Sequence, residues 1–345
     1  MPKRKPLPAS DSQVRRTRVR EEPNTIGLTL PPAYKPFYET QLGYAVLGDS
    51  LELMRHLPNE CVDLVMTSPP FALKRKKEYG NKADHEYVEW FLEFGRDVHR
   101  LLKPTGSFVI DIGGTWNTGK PTRSLYQYEL LLRLAESFCF AQEFFWHNPA
   151  KLPSPAEWVT VRRIRATDAV NTIWWLSRTE WPKADNRRVL RPYSDSMRSL
   201  LKNGYKPKLR PSGHDISDNF KHDHGGSIPH NLLQISNTES NSLYLRKCAE
   251  KGIKPHPARF PLGVPAFFIK FLTDPGDLVL DIFAGSNVTG KAAEDLGRRW
   301  LAMELNKEYL ATSKYRFSQQ LSLVLDSRGT LTDASSFEHD TFRKT

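Results

Sequence analysis

Short apolar runs alternate with helical patterns over most of the chain. The runs predict β-strands, because each is brief, rich in β-branched or aromatic residues and followed by a turn residue. The predicted strands are YAVLG at 44–48, VDLVMT at 62–67, SFVIDIGG at 107–114, AQEFFWHNP at 141–149, VNTIWWLS at 170–177, LVLDIF at 278–283 and WLAMEL at 300–305. Between them a helical apolar period predicts helices at 51–57, 86–102, 125–140, 264–272 and 288–296.

This alternation predicts an α/β fold built on a mostly parallel sheet. Ligands of such sheets bind at the carboxyl ends of the strands. Four polar turns follow predicted strands, at Gly48-Asp49, at 67–70, at 111–114 and at 147–149. We therefore expect these turns to converge at one edge of the sheet.

The sequence SPPF at 68–71 ends one predicted strand, and a basic run at 74–77 follows it. Proline cannot donate to a strand ladder, and a residue that precedes proline is pushed into an extended conformation. The segment therefore fixes the direction of the Pro69 carbonyl and holds Phe71 where a flat ligand could stack on it. An ordinary turn after a strand explains the same residues and remains the alternative at this point.

A second turn of chemical interest lies near the C-terminal end of the pattern. Asp281 ends a predicted strand, Gly285 and Gly290 flank the turn, and Glu304 lies near the end of the next strand. Small residues let the backbone approach a ligand, and an acid at this distance can accept both hydroxyls of a ribose. NAD, FAD and S-adenosylmethionine sites all use such a turn. Asn287 stands where a dinucleotide site has a second glycine, which favours a ligand without phosphate, such as S-adenosylmethionine.

The regular pattern stops between about residues 180 and 255, where Pro, Gly, Asn, Ser and His are frequent. This composition predicts an inserted, loop-rich region instead of another sheet layer. Four histidines lie in it, at 214, 222, 224 and 230. They have irregular spacing and no cysteine nearby, so we expect solvated or phosphate-facing histidines and no metal site.

Composition narrows the class of protein. With 345 residues, 39% hydrophobic residues and a net charge of +11, the chain is expected to be globular and to bind a polyanion. No apolar run reaches the roughly 18 residues of a membrane span, and the N-terminus lacks the apolar segment of a secretory signal. The three cysteines are widely spaced, which argues against disulfides and zinc and suits a reducing cytoplasm. None follows a proline, unlike the nucleophile of enzymes that methylate carbon 5 of cytosine.

The segments TSPPF and DIFAGSNVTG together resemble the amino-group DNA methyltransferases of the β type. In that family the catalytic loop precedes the cofactor loop, and the target-recognition region lies between them. The resemblance is closer to the PvuII-type cytosine-N4 modification methyltransferases, in GDSLEL, MTSPPFAL, NPAKLPSPAEW and HPARFP, and covers about residues 43–318. It implies a mostly parallel, seven-stranded S-adenosylmethionine-dependent methyltransferase sheet, flanked by helices, with an inserted loop-rich target-recognition region.

Composition and the resemblance together predict an organisation of the chain. We expect a disordered basic tail at 1–30 and the catalytic half of the methyltransferase domain at 31–180. The target-recognition region is expected at 181–255, the cofactor-binding half at 256–318 and a C-terminal tail at 319–345.

The implied reaction is methyl transfer to an exocyclic amine of a base that is flipped out of duplex DNA. Phe71 would stack on the base, while the Pro69 carbonyl and the Ser68 hydroxyl would hydrogen-bond the amine. Serine before the two prolines usually accompanies cytosine N4 as the target, and Asp or Asn usually accompanies adenine N6. Asp111 would polarise Ser68 or help to remove the amine proton; capping of a turn explains Asp111 equally well.

The resemblance assigns three sets of residues. The catalytic set is Ser68, Pro69, Pro70, Phe71 and Asp111. The cofactor set, for S-adenosylmethionine, is Asp49, His256, Phe260, Pro261, Asp281, Phe283, Gly285, Ser286, Asn287 and Glu304. The DNA-binding set is Lys74, Arg75, Lys76, Lys77, Arg162, Arg163 and Arg165, and for any single arginine a solvated charged surface is the alternative.

Double-stranded DNA is the expected partner, with CAGCTG as the expected site and a restriction endonuclease acting on the same site as a possible companion. Other classes stay open at this point. They are an adenine-N6 enzyme of the same fold, a DNA-binding regulator without catalysis, and an RNA or protein methyltransferase.

Overall fold

The computed structural model describes residues 27–28, 30–71, 84–204, 222–237 and 242–317. The strands are β1 (Tyr38–Glu39), β2 (Gly43–Leu47), β3 (Val62–Thr67), β4 (Leu102–Ile112), β5 (Cys139–His147), β6 (Val170–Ser177), β7 (Leu232–Gln234), β8 (Leu278–Asp281) and β9 (Arg299–Glu304). The α-helices are α1 (Ser50–Arg55), α2 (Asp84–Leu101), α3 (Tyr126–Leu134), α4 (Asp195–Asn203), α5 (Leu243–Glu250), α6 (Gly263–Leu272), α7 (Val288–Asp295) and α8 (Lys307–Ser313). One π-helical turn spans Glu157–Val161, and 3-10 turns span Asn186–Val189 and Lys314–Phe317.

The strands form one sheet in the order β1-β2-β9-β8-β3-β4-β6-β5-β7. The strands from β2 to β4 in this order are parallel to their neighbours, while β6 runs antiparallel between β4 and β5. The predicted α/β fold with a mostly parallel sheet is confirmed. Within the described residues the sheet has nine strands where seven were expected, because a short strand is added at each edge. These strands are β1, with two residues, and β7, with three.

The helix predicted at 125–140 is shorter than expected. It ends at Leu134, because Cys139 begins β5 and pairs with Ser177 of β6. Phe138, in the turn between the helix and the strand, is buried against Phe108 of β4. Pairing with the sheet therefore wins over the local helical pattern in this segment.

Two layers of helices cover the sheet. Alternate side chains of a strand face opposite sides, so Val65 of β3 packs into the core on one side while Leu64 and Met66 pack into the core on the other. Helices α1, α2 and α3 cover the first side, and α6, α7 and α8 cover the second. Both faces are buried, which explains why the central strands are continuously apolar.

The centre of the sheet contains a topological switch point. Strands β3 and β8 lie side by side and parallel. The chain leaves β3 through α2 towards β4 on one side, and leaves β8 through α7 towards β9 on the other. The two loops diverge and open a crevice at the carboxyl ends of β3 and β8, where ligands of doubly wound sheets bind.

The described parts of the region at 181–255 contain helices α4 and α5, a 3-10 turn and one short strand, and they touch the sheet. Strand β7 pairs in parallel with β5, so this region adds a short edge strand that the sequence pattern did not predict. Helix α5 packs against α8 and the 3-10 turn at Lys314–Phe317. The segment RPSGHDI at 210–216, with His214, lies outside the described residues.

No helix in the described ranges is both long and apolar enough to cross a membrane. In the same ranges, no group of three or more His, Cys, Asp or Glu side chains is arranged to hold a metal ion.

Candidate active site

A cavity of about 550 Å³ opens at the switch point. This volume falls within the range of small-molecule sites, about 300–1,000 Å³. Residues that the sequence assigned to catalysis and to the cofactor line it together: Asp49, Ser68, Pro69, Pro70, Phe71, Asp111, His256, Phe260, Asp281, Phe283, Gly285, Ser286 and Glu304. The expected convergence of the strand-end turns at 48–49, 67–70 and 111–114 is therefore seen, because each contributes at least one lining residue.

Ser68 and Asp111 form a hydrogen-bonded pair at this cavity. The Ser68 hydroxyl donates to Oδ2 of Asp111 over 3.1 Å. Asp111 lies near the end of β4 and is only 2% exposed. Burial raises the pKa of its carboxyl group from 3.8 to about 7, and hydrogen bonds from Ser68 and Asn171 oppose the rise. Its second oxygen, Oδ1, is buried and has no hydrogen-bond partner in the structure.

This pair has the properties of a proton acceptor. A carboxyl group with a pKa near neutrality can be ionised and can still take up a proton at the working pH of most enzymes. An orphaned buried oxygen is uncommon in proteins and marks a site that stores strain or awaits a partner. Capping of a turn does not explain these features, because Asp111 accepts its hydrogen bond from the Ser68 side chain.

Phe71 lies against the backbone of the neighbouring strand end. A Cβ atom built on Gly113 would lie 2.4 Å from Cε2 of Phe71, so only glycine permits this contact. The Tyr126 hydroxyl donates to the Gly113 carbonyl and holds the segment in place. The Phe71 ring is thus held in a fixed position at the cavity wall.

We expect Gly113→Ala to lower the rate of the methyl transfer that the sequence resemblance implies by up to about 100-fold, because the added methyl group displaces the Phe71 ring from its position. Cofactor affinity should stay unchanged, since Gly113 does not line the cavity. Steady-state kinetics and calorimetric cofactor titration separate the two effects. Gly263→Ala is the matched control, because its Cβ would lie 3.3 Å from a flexible Ile235 methyl group. Equal rates for Gly113→Ala and the control would contradict the assignment of Phe71.

The cofactor side of the cavity centres on Glu304, at the end of β9. Its Oε2 accepts the Gly285 N–H at 2.7 Å, and its Oε1 accepts the Asn306 N–H at 2.8 Å. Burial raises the pKa of this carboxyl group. Asp281 accepts the Thr67 hydroxyl at 2.7 Å, which ties β8 to β3 across the crevice, and burial raises its pKa to about 6. These acids therefore hold the shape of the turn as well as facing the cavity.

Two of the residues predicted to contact the cofactor do not line the cavity. Asn287 adopts a left-handed conformation with φ of 53° and caps α7, because its Oδ1 accepts the Gly290 N–H at 3.0 Å. Its Nδ2 donates to the Tyr38 hydroxyl at 2.9 Å. Pro261 is buried, and its carbonyl accepts the Val264 N–H near the start of α6. Both residues shape the loops that carry their neighbours.

Known proteins can now be compared with this geometry. The family model of the DNA methylases matches residues 62–315. The type II methyltransferase M.PvuII of Proteus hauseri is 57% identical over 82% of this chain and 86% of its own length. The chain belongs to the DNA methylases.

Other similarities agree with this membership. The solved structure of the cytosine-N4-specific PvuII DNA methyltransferase superposes with a TM-score of 0.68 and 48% identity. The match covers 85% of this chain and 94% of that structure. M.ScaI of Streptomyces caespitosus, also a type II methyltransferase, is 27% identical over 80% of this chain and 81% of its own length.

The cavity of this DNA methylase fits S-adenosylmethionine. Glu304 and the half-buried Phe283 ring both line the cavity; a carboxylate in this position would accept the ribose hydroxyls, and an apolar ring would pack against the adenine. Gly285 has a φ of +51°, and a Cβ there would lie 3.1 Å from Nε2 of His256, so the turn approaches the cavity without a side chain. Burial lowers the pKa of His256 to about 4, which keeps its ring neutral beside a cationic ligand.

Sequence patterns missed other residues that line the cavity of the DNA methylase. Trp90 and Phe94 of α2 surround the Phe283 ring at centroid distances of 5.8 and 4.8 Å. Their four-residue spacing was visible, but the same spacing marks any core-facing helix. Asn171 at the start of β6 also lines the cavity, and a polar residue at a strand end was its only signal.

The predicted DNA-binding residues fall into two groups. Lys74, Arg75, Lys76 and Lys77 lie outside the described residues. Arg162, Arg163 and Arg165 lie in the connection between β5 and β6, on the cavity side of the sheet.

Proposed function

We propose that this DNA methylase is a site-specific cytosine-N4 methyltransferase that transfers the methyl group of S-adenosylmethionine to a cytosine flipped out of duplex DNA. The observation that carries the proposal is the Ser68–Asp111 hydrogen bond inside the cavity that Phe71 and Glu304 share. The 57% identity to M.PvuII supports the choice of cytosine N4.

The protein must orient an amine whose lone pair is conjugated with its ring. Ser68 donates its proton to Asp111, so its oxygen can accept one N4 hydrogen, and the Pro69 carbonyl can accept the other. These two hydrogen bonds take the lone pair out of conjugation with the ring and aim it at the methyl group. Phe71 stacks on the base, whose extrusion from the duplex costs a few kcal/mol.

Bound S-adenosylmethionine would supply an electrophilic methyl group on a positively charged sulfur, and the sulfur–methyl bond would break as the N–C bond forms, with its electron pair left on the neutral thioether of S-adenosylhomocysteine. As the new N–C bond forms, one N4 proton moves to Ser68 and the Ser68 hydroxyl proton moves to Asp111. The product is then a neutral secondary amine, and Asp111 is left protonated. Acidic and carbonyl groups around the cavity stabilise the positive charge that the sulfur carries before the transfer and the amine carries during it.

We expect the methyl-transfer rate to rise with pH through a midpoint of about 7. Asp111 accepts a proton only when ionised, and below its pKa the ionised fraction falls about tenfold per pH unit. Single-turnover rates between pH 5.5 and 9, with both substrates saturating, measure the midpoint. Ser68→Ala removes a hydrogen bond that lowers the Asp111 pKa, so its residual activity should have a higher midpoint. A flat wild-type profile would contradict the assignment of Asp111 as proton acceptor.

We further propose the wider setting of this activity. The substrate duplex carries CAGCTG, the palindrome implied by the PvuII-type resemblance, and the modification protects it from a cognate endonuclease that acts on the same site. The enzyme works where bacterial DNA lies, in the cytoplasm. Residues 31–180 and 256–318 form the methyltransferase domain, residues 181–255 contribute to target recognition, and, of the basic residues assigned to DNA, Arg163 and the run at 74–77 contact it.

Transfer of a labelled methyl group to short duplexes tests this proposal. A CAGCTG duplex should accept label, whereas a scrambled duplex and an RNA duplex of the same sequence should not. Label in genomic DNA but not in the CAGCTG duplex would refute only the site. Label in RNA, or in protein alone, would refute a DNA substrate.

A further inference from the structure

The connection between β5 and β6, residues 148–169, stands on the rim of the cavity. Trp146, near the end of β5, and Asn171, near the start of β6, both line the cavity, so the connection leaves and returns at its edge. A duplex that delivers a base into the cavity must lie against this edge. Side chains exposed on the connection are therefore candidates for contact with the bases next to the flipped one.

Two of the three arginines in this connection are engaged within it. Arg162 donates to Glu157 at 2.8 Å, and its guanidinium lies 5.1 Å from the centroid of the Trp158 ring. Arg165 pairs with Asp168 at 3.2 Å and is 18% exposed. Each of these two arginines therefore has an acidic partner within the connection, and only Arg162 of the two is exposed.

Arg163 differs from both neighbours. It is exposed, and in the described part of the chain it has no ion pair or hydrogen bond from its guanidinium. Its backbone adopts a left-handed conformation with φ of 57°, which is uncommon outside glycine and indicates that the surrounding turn imposes it. The conformation places Arg163 at a sharp corner that follows the π-helical turn.

Apolar side chains flank this free guanidinium. Val161 is 69% exposed and Ile164 is 60% exposed, although both could have been polar without loss of core packing. An unpaired arginine fork with apolar neighbours matches the chemistry of a base-pair edge in the major groove. Arginine binds O6 and N7 of guanine through two hydrogen bonds, and apolar side chains contact the thymine methyl group.

We infer that Arg163 recognises a guanine of the target site in the major groove, with Val161 and Ile164 packed against a neighbouring base. This inference rests on the proposed function, because it needs a duplex at the cavity edge. It distinguishes Arg163, as a specificity-determining residue, from Arg162 and Arg165, which hold the connection in shape. The alternative role for Arg163 is a contact with a phosphate of the DNA backbone, which would not discriminate between bases.

Mapping of methylated sites tests the inference. Unmodified genomic DNA is treated with wild type, Arg163→Ala, Arg163→Lys or Arg162→Ala, and the methylated positions are located by sequencing. For Arg163→Ala we expect one G·C pair of the wild-type motif to become degenerate, with discrimination at that position reduced about 10- to 100-fold. Arg163→Lys should relax the same position, because lysine lacks the planar fork. Arg162→Ala should keep the wild-type motif, and all variants should bind S-adenosylmethionine equally.

The outcomes separate this inference from the proposed function. A uniform loss of methylation with an unchanged motif, restored by Arg163→Lys, would show a phosphate contact and overturn the inference. A wild-type motif other than CAGCTG refutes the proposed site and leaves the comparison of variants intact. If the wild type modifies no DNA, this result contradicts the proposed function and, because the inference rests on that function, the inference as well.

Discussion

Asp111→Asn should lower the rate of methyl transfer at pH 8 by about 10²- to 10⁴-fold and leave the affinity for S-adenosylmethionine within about twofold. The amide still accepts the Ser68 hydroxyl hydrogen bond but cannot take up the proton that leaves the amine. Single-turnover transfer and calorimetric titration measure the two quantities. Asp295→Asn, a change on α7 away from the cavity, is the control and should keep the wild-type rate.

The same substitution should change stability in a pH-dependent way. The folded state raises the Asp111 pKa from 3.8 to about 7, so ionising it there costs roughly 4 kcal/mol relative to the unfolded chain. This cost is absent below about pH 4, grows up to pH 7 and is complete above it. Asp111→Asn removes this cost. The free energy of unfolding of the variant minus that of wild type should therefore be larger at pH 8 than at pH 4.5. A stability difference that is independent of pH would contradict the burial of an ionisable Asp111.

Glu304→Ala should raise the Kd for S-adenosylmethionine by about 10²- to 10³-fold. Two hydrogen bonds to a charged group are worth about 1.5–3 kcal/mol each, and the change also frees the Gly285 and Asn306 N–H groups that hold the turn. Titration calorimetry measures the affinity directly. Glu308→Ala, at an exposed position of α8, is the control and should bind normally. Tight binding of S-adenosylmethionine by Glu304→Ala would contradict the assignment of Glu304 to the cofactor site.

Much of the fold follows from the sequence, because buried parallel strands leave a strong apolar signal. The runs at 62–67 and 170–177 match β3 and β6 residue for residue. The edge strands β1 and β7 escaped prediction, since two or three residues show no period and pairing depends on a neighbour distant in sequence.

The site was partly predictable for a similar reason. Ser68 and Asp111 each follow or end a predicted strand, and parallel topology brings strand ends together. The function of Asn287 was not predictable, because only the three-dimensional turn shows that its side chain caps α7. Trp90 and Phe94 were hidden among core residues, since a cavity wall and a core face share one helical period. The sequence could not distinguish Arg163 from Arg162 and Arg165, because only the structure shows that Glu157 and Asp168 pair with the other two.

The identity of the modified nucleoside tests the central claim most directly. DNA methylated by the wild-type enzyme is digested to nucleosides and analysed by mass spectrometry, with Ser68→Ala treated in parallel. Wild-type DNA should yield N4-methylcytosine, and this product should be lost with Ser68→Ala. N6-methyladenine would leave the fold and the cofactor cavity as described, but it would contradict the cytosine assignment and the proposed interaction of Ser68 with the N4 amine.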